Sequence, residues 1–374
     1  VICTDGLLDY VTPLYYCVDR QGTPRYELRH PDGERMRHVA GLSDGHQLAA
    51  GFSDEFVAVF DSAGRKLVEY DHLFFVGMTR FRHQFLDQHD AIEITEGPWA
   101  GAVAVMTVSI ESVGGEDVAG NGVIVLDPYS GEVLWDWSIH GEPGDEQPID
   151  PGVPYDRHGL LSQDGVEWLH ANTLLHGVDE DGHQFLWLSL RAQDWIIKVD
   201  VETDAIEWRL GHEGDFDLVD DLDAANPSPR DANRWMFQQH APEWTHRDSS
   251  RTRFLVLDNG NQRPEPLPDG AERYSRVVEF EIDEDSMRAA ITFDHGSADP
   301  QDPRHFAADA YGDANLLPGG EALLFDAGLL HVGGGAFLAE IGYPGGQARW
   351  RYDCPDGPGL FKARYFPSLY EMTW

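Results

Sequence analysis

One hairpin unit recurs along this chain, and that repeat restricts the possible folds more than any other feature. An apolar strand, an acidic residue, a Gly-containing turn and a second strand ending in an aromatic read YYCVDRQGTPRYEL from Tyr15 and VAVFDSAGRKLVEY from Val57. The unit returns as VIVLDPYSGEVLWDW from Val123 and IIKVDVETDAIEWRL from Ile196. Two looser copies follow, VVEFEIDEDSMRAAITF from Val277 and FLAEIGYPGGQARWRY from Phe337. The turn-opening acids are Asp19, Asp61, Asp127, Asp200 and Asp283, with Gly342 at the sixth place. Asp accepts backbone N–H bonds in such a turn, and Gly supplies positive φ.

Elsewhere short runs of Val, Ile, Phe and Trp alternate with Gly, Pro, Asp and Asn, and long amphipathic helical patterns are scarce, as in an all-β protein. Four-stranded propeller blades need roughly 40–50 residues, and 374 residues accommodate six of them with long loops. The expected fold is therefore all-β: one six-bladed β-propeller domain over residues 1–374, whose radial closure hides its strand edges. Two stacked sandwiches would not explain six copies of one hairpin. The insertions 141–165 and 211–234, rich in Asp, Pro and Gly, are expected to gather on one face, where sites are built. The acid run Asp215, Asp217, Asp220, Asp221 and Asp223 lacks the Gly and closing Glu of a calcium loop and reads as solvated. Trp135, Trp137, Trp208 and Trp350 are expected to pack between blades.

Charge removes whole classes of function. With 27 Lys+Arg against 66 Asp+Glu the formal charge is −39, which repels nucleic acid and anionic lipid. No run approaches the ~18 apolar residues of a membrane span. A 41% hydrophobic, 11% aromatic composition still supplies a large core, so disorder is not expected. Acids spread along the whole chain suit a halophilic organism. Three cysteines (Cys3, Cys17, Cys354) permit at most one bridge, with the two chain ends as the candidate pair. The chain begins at Val1, so a lost leader or membrane anchor is expected; an extracytoplasmic location is favoured over a cytoplasmic one.

Several histidines stand in contexts suited to a central channel. His170, in EWLHAN, precedes the apolar strand Gln184 to Leu190. His240, in FQQHAPEW, precedes the strand Arg253 to Asp258, which runs into the turn DNGNQR with Arg263 at its tip. His331 lies in GLLHVGGG, where small neighbours leave its ring room to face a cavity.

WLHAN, LSLRAQDWIIKVDVETDAIEWRLG, FQQHAPEW and LDNGNQR…RYSRVVEFEID, in that order, resemble the aryl-sulfate sulfotransferase family. The resemblance implies a six-bladed propeller that moves a sulfuryl group from a phenolic sulfate ester to a phenolic acceptor, without a nucleotide donor, a cofactor or a metal. Residue by residue, His170 and His240 match the channel histidines and Arg263 the active-site arginine. His331 matches the nucleophile, with His305 and His295 nearby; His305 reads as part of a loop. Asn172, Asn259 and His89 complete the implied substrate-binding set, and His83 and His89 in RHQFLDQHD resemble a further histidine segment. A family acid after the second histidine is replaced in QHAPEW. The extra N-terminal sandwich of bacterial relatives is not seen before the first hairpin, so no oligomer is implied.

These residue types suit sulfuryl transfer. A neutral imidazole is a competent nucleophile on sulfur, and a sulfohistidine divides one hard step into two. Arg263 would hold sulfate oxygens with a planar fork of donors. His170 and His240 would donate to the sulfuryl group and move the phenolic proton. High salt would screen the distant carboxylates from the anionic substrate. Three rival readings remain at this point: a noncatalytic propeller that binds a ligand or protein, a metal-dependent hydrolase or lyase using His170, His240 and His331 as ligands, and a quinone-dependent dehydrogenase.

Overall fold

The computed structural model describes residues 2–6, 15–21, 23–32, 36–51, 56–81, 83–113, 116–141, 160–162, 165–264, 273–330, 335–354 and 360–365. The repeated turns form as their chemistry dictates. Asp19 accepts the N–H groups of Gln21 and Thr23, each at 2.9 Å, and Asp61 those of Ala63 and Arg65 at the same distance. Asp127 takes the N–H of Ser130 at 2.7 Å, Asp200 that of Thr203 at 2.6 Å and Asp283 that of Ser286 at 2.9 Å. At the sixth place Gly342 donates its own N–H to Gln347 at 2.8 Å. Each of the six hairpins forms the outer two strands of a four-stranded antiparallel path.

Five blades are built from strands consecutive along the chain, apart from short pieces at their margins. Their innermost strands are Met36–Gly41, Phe85–Glu93, Ala171–Val178, His240–Arg247 and Asp313–Leu316. The expectation of six blades is corrected to these five. The hairpin from Tyr15 belongs instead to a sheet made by both chain ends, in which Leu360–Tyr365 pairs with Ile2–Gly6, followed by Tyr15–Val18 and Pro24–Leu28. That sheet touches the fifth blade through Leu360–Tyr365 and the first through Ile2–Gly6, closing the propeller. Counting hairpins finds the outer half of a sheet and cannot tell where its inner strand comes from.

Apolar side chains pack between neighbouring sheets. One cluster joins the second and third blades through Val125, Trp137, Leu174 and Leu188; another joins the third and fourth through Trp187, Trp208, Phe254 and Phe280. The aromatic that ends each repeat acts at these seams. Trp135 Nε1 donates to the Asp204 carboxylate at 3.0 Å and Trp137 Nε1 to the Asp204 carbonyl at 3.0 Å, in the next blade's turn. Trp208 donates to Glu284 at 3.0 Å in the turn after that, and Trp350 to the Arg20 carbonyl at 3.1 Å. The expected packing of these tryptophans between blades thus includes a polar latch, since a buried indole N–H needs an acceptor.

Two further expectations change. Cys17 is disulfide-bonded and Cys354 carries a free thiol, so no bridge joins the chain ends; Cys3 is the register partner of Cys17 in the first hairpin of the closing sheet. The 211–234 insertion departs from a simple surface loop at Asp217–Val219, which adds a parallel strand to the outer edge of the fourth blade. Its acids find local partners there, Asp215 on Arg209 at 3.1 Å and Asp223 on Arg251 at 3.3 Å. Most of the other insertion lies outside the described residues.

Candidate functional site

The inner strands begin at one end of the channel, and the polar residues at those beginnings meet. His170 immediately precedes Ala171–Val178, and His240 opens its own strand. His89 comes from Phe85–Glu93, and its ring meets that of His170 at 4.9 Å between centroids, inclined by 67°. Asp87 holds His89 through Nδ1 at 2.5 Å, and its other oxygen accepts from Asn121 Nδ2 at 2.8 Å. Asn121 then accepts the N–H of Ala171 at 3.0 Å, tying this pair to the residue after His170. Burial opposes charge on Asp87, yet the charge and hydrogen bonds of His89, with His170 behind, hold its carboxyl below the usual range.

His240 is 2% exposed, and its Nδ1 lies 2.6 Å from the carbonyl of Gly312. A carbonyl only accepts, so Nδ1 carries the hydrogen, and in the neutral ring Nε2 carries the lone pair. Burial first, then the charge of Lys362, holds this imidazole well below its ordinary pKa of 6.5. Lys362 arrives on Leu360–Tyr365, the closing strand, where it pairs with buried Asp90 at 3.2 Å.

The structure also assigns Arg191 to this region, a residue to which sequence reasoning gave no role although it lies in the quoted LSLRAQDW. Its backbone N–H donates to the carbonyl of His170 at 3.1 Å. Its guanidinium donates to Gln238 Oε1 at 2.9 Å and to the Asp309 carbonyl at 3.2 Å. Arg191 therefore spans the His170 and His240 segments. Asp87 was equally overlooked, though HQFLDQHD contains it; its spacing from His89 alone does not reveal which ring nitrogen it would hold.

Left-handed backbone occurs on these segments as well as in the turns at Asp204, Glu213 and Met287. Near the site, positive φ occurs at the non-glycine residues His170 (48°), Asp194 (59°), Gln238 (50°), Ala241 (50°), Gln262 (58°) and Tyr311 (65°). Such conformations cost on the order of 1–3 kcal/mol each and cluster where function needs them. Here Asp194 supports Gln238 by accepting its N–H at 2.6 Å.

The remaining expected residues have other surroundings. Asn172 is fully buried and donates to the Gln239 carbonyl at 2.8 Å. Asn259, also fully buried, donates to the Tyr311 carbonyl at 3.1 Å. Arg263 pairs with Asp258 at 2.6 Å, donates to the Tyr274 hydroxyl at 3.0 Å and lies 4.5 Å over the Tyr274 ring. His83 bonds Thr107 at 2.6 Å and faces Asp136 at 3.3 Å, while His305 Nδ1 donates to the Ser297 carbonyl at 2.8 Å. His295 stacks on Phe293, and burial lowers its pKa. His331 lies outside the described residues. Among the described residues no three His, Cys, Asp or Glu side chains come together as a metal site.

The sequence matches the family model described as Arylsulfotransferase (ASST) over residues 7–333. The chain belongs to the arylsulfotransferase family. That match spans every residue of the histidine cluster except Lys362, and it includes His331. No curated protein sequence matches this arylsulfotransferase-family chain. Solved structures similar to it include a protein of unknown function from Bacteroides caccae, at 12% identity and TM-score 0.46, covering 97% of both chains. An α-L-arabinofuranosidase from Fusarium graminearum follows at 13% identity and TM-score 0.45, covering 87% of this chain and 84% of that one. Kuenenia stuttgartiensis hydrazine synthase is similar at 10% identity and TM-score 0.44, covering 88% and 70%. Likeness of that degree bears on no residue of the site.

Proposed function

We propose that this arylsulfotransferase-family protein moves a sulfuryl group from a phenolic sulfate ester to a phenol through a sulfohistidine, without a nucleotide donor. The reading rests on the family match over residues 7–333. The meeting of His89, His170, His240 and Arg191 at one end of the channel supports it. His331 is the proposed nucleophile. In the first half-reaction its ring nitrogen forms an S–N bond as the ester S–O bond breaks, and the phenolate leaves. In the second, the acceptor phenol loses its proton as its oxygen forms the new S–O bond and the S–N bond breaks.

His240 is the base for that proton in this reading. Its Nδ1–H is engaged with Gly312, so Nε2 accepts rather than donates, which alters the role expected from the sequence. Arg191 joins Arg263 as a guanidinium for sulfate oxygens, and His89 and His170 steady the group in transfer.

The test is nitrophenolate release from 4-nitrophenyl sulfate, with and without phenol, by wild type and His331→Asn. Phenol-dependent release that vanishes in the variant supports transfer through His331. Equal release by both proteins would move the nucleophile elsewhere, with His305 next in line. A folded protein inert toward aryl sulfates would overturn the reading and favour a ligand-binding propeller.

A further inference from the structure

Residues 308–312 lead into the innermost strand of the fifth blade, and Ala308–Ala310 pairs with Leu329–Leu330, which directly precedes His331 in the chain. Side chains of the third and fourth blades hold four carbonyls of this short segment. Arg273 donates to that of Ala308 at 3.2 Å, Asn261 and Arg191 to that of Asp309 at 2.6 and 3.2 Å, and Asn259 to that of Tyr311 at 3.1 Å. His240 holds the carbonyl of Gly312 at 2.6 Å. An ion pair of Arg273 with the Asp309 carboxylate at 2.8 Å adds a sixth contact.

Tyr311 and Gly312 both have positive φ, 65° and 97°. Only glycine fits at 312, where an added Cβ would lie 2.1 Å from Leu257 Cδ2 and 2.8 Å from the Asp326 carbonyl. Tyrosine is an uncommon occupant of the left-handed region, which asparagine or glycine enters at less cost. Such a conformation persists where its surroundings over-determine it, as the held carbonyls do here. Its effect is to set the half-buried Tyr311 ring against His240, with centroids 6.3 Å apart and planes inclined by 76°. Aromatic surface, the tautomer-setting carbonyl of His240 and a carbonyl bound by Arg191 therefore share one segment of five residues.

We propose that Tyr311 is the aryl-recognition residue of this site, its ring packing against the aromatic ring of the donor ester and of the acceptor phenol. The inference rests on the transferase reading and adds to it the side chain that favours aryl over alkyl substrates. Two aromatic rings gain from their complementary quadrupoles beyond the area they bury, and a saturated ring does not match that gain. The ring itself carries the recognition, so phenylalanine can replace tyrosine and an aliphatic or amide side chain cannot.

Calorimetric titration of the intact protein with phenol and with cyclohexanol, no sulfate donor being present, tests the proposal without turnover. Wild type should bind phenol about three- to tenfold more tightly than cyclohexanol. Tyr311→Leu should erase that preference and Tyr311→Phe should keep it. Tyr311→Asn, whose side chain tolerates positive φ, serves in place of the leucine variant if that one does not fold. A preference that survives in Tyr311→Leu or Tyr311→Asn, or that is lost equally in Tyr311→Phe, overturns the inference and leaves the transferase reading standing, since nitrophenolate release judges that reading separately. A wild type that binds the two probes equally, or binds neither, overturns the inference as well.

Discussion

The Nδ1 of His240 donates to the carbonyl of Gly312 across 2.6 Å. That one contact selects the ring's tautomer and makes Nε2 the basic atom. Nitrogen-15 spectra of histidine-labelled protein should therefore show His240 protonated at Nδ1 and bare at Nε2 at pH 7, and still uncharged below pH 6.5. A proton on Nε2 at neutral pH would contradict this.

Asp87 holds His89 through Nδ1, and in the proposed mechanism it acts by orienting that ring. Asp87→Asn should lower kcat on the order of 10²-fold with KM little changed, because an oriented imidazole contributes to the chemical step. Asp87→Glu should recover part of the loss. A change confined to KM, or to the melting temperature, would show that the acid is structural only.

Arg191 presents a planar fork that lysine cannot reproduce. Arg191→Lys should raise KM for the sulfate ester by about 10- to 100-fold, the worth of one charge-assisted hydrogen bond. Unaltered kinetics in the folded variant would remove Arg191 from the anion site.

Trp208 latches the third blade to Glu284 in the fourth. Trp208→Phe keeps most of the ring in the seam and deletes the N–H, so stability should fall by about 1 kcal/mol and the melting temperature by roughly 1–3 °C. An unchanged melting curve would mean that this hydrogen bond adds nothing to blade adhesion.

Glu243 gives a pH signature of defined sign. Its carboxyl is pushed up from 4.5 to about 8 in the native protein. Between those values the folded state holds a proton that the unfolded chain has released, so this group's contribution to stability falls as pH rises through the window. Glu243→Gln removes that slope. Chemical denaturation should show the variant gaining on wild type from pH 5 to pH 9, by an amount on the order of a few kcal/mol. A stability difference that does not vary with pH would count against it.

The sequence by itself determined the hairpins, because an Asp-opened turn is satisfied by N–H groups two to four residues away. It also carried the family, and it marked His170 and His240 at strand starts, since those signals are local and ordered along the chain. Tertiary structure decided the rest. Leu360–Tyr365 completes a sheet begun at Ile2, so five blades are consecutive where six were expected. Asn172 and Asn259 each donate from Nδ2 across the fold, to the Gln239 and Tyr311 carbonyls. Asp87, Arg191 and Lys362 gain their roles only when separate strands converge on the channel. His240 owes its tautomer to a carbonyl 72 residues further along, and its low pKa to burial and to a lysine on the last described strand. Hydrogen bonds and charges act through space, and which residues share that space is set by closure of the propeller.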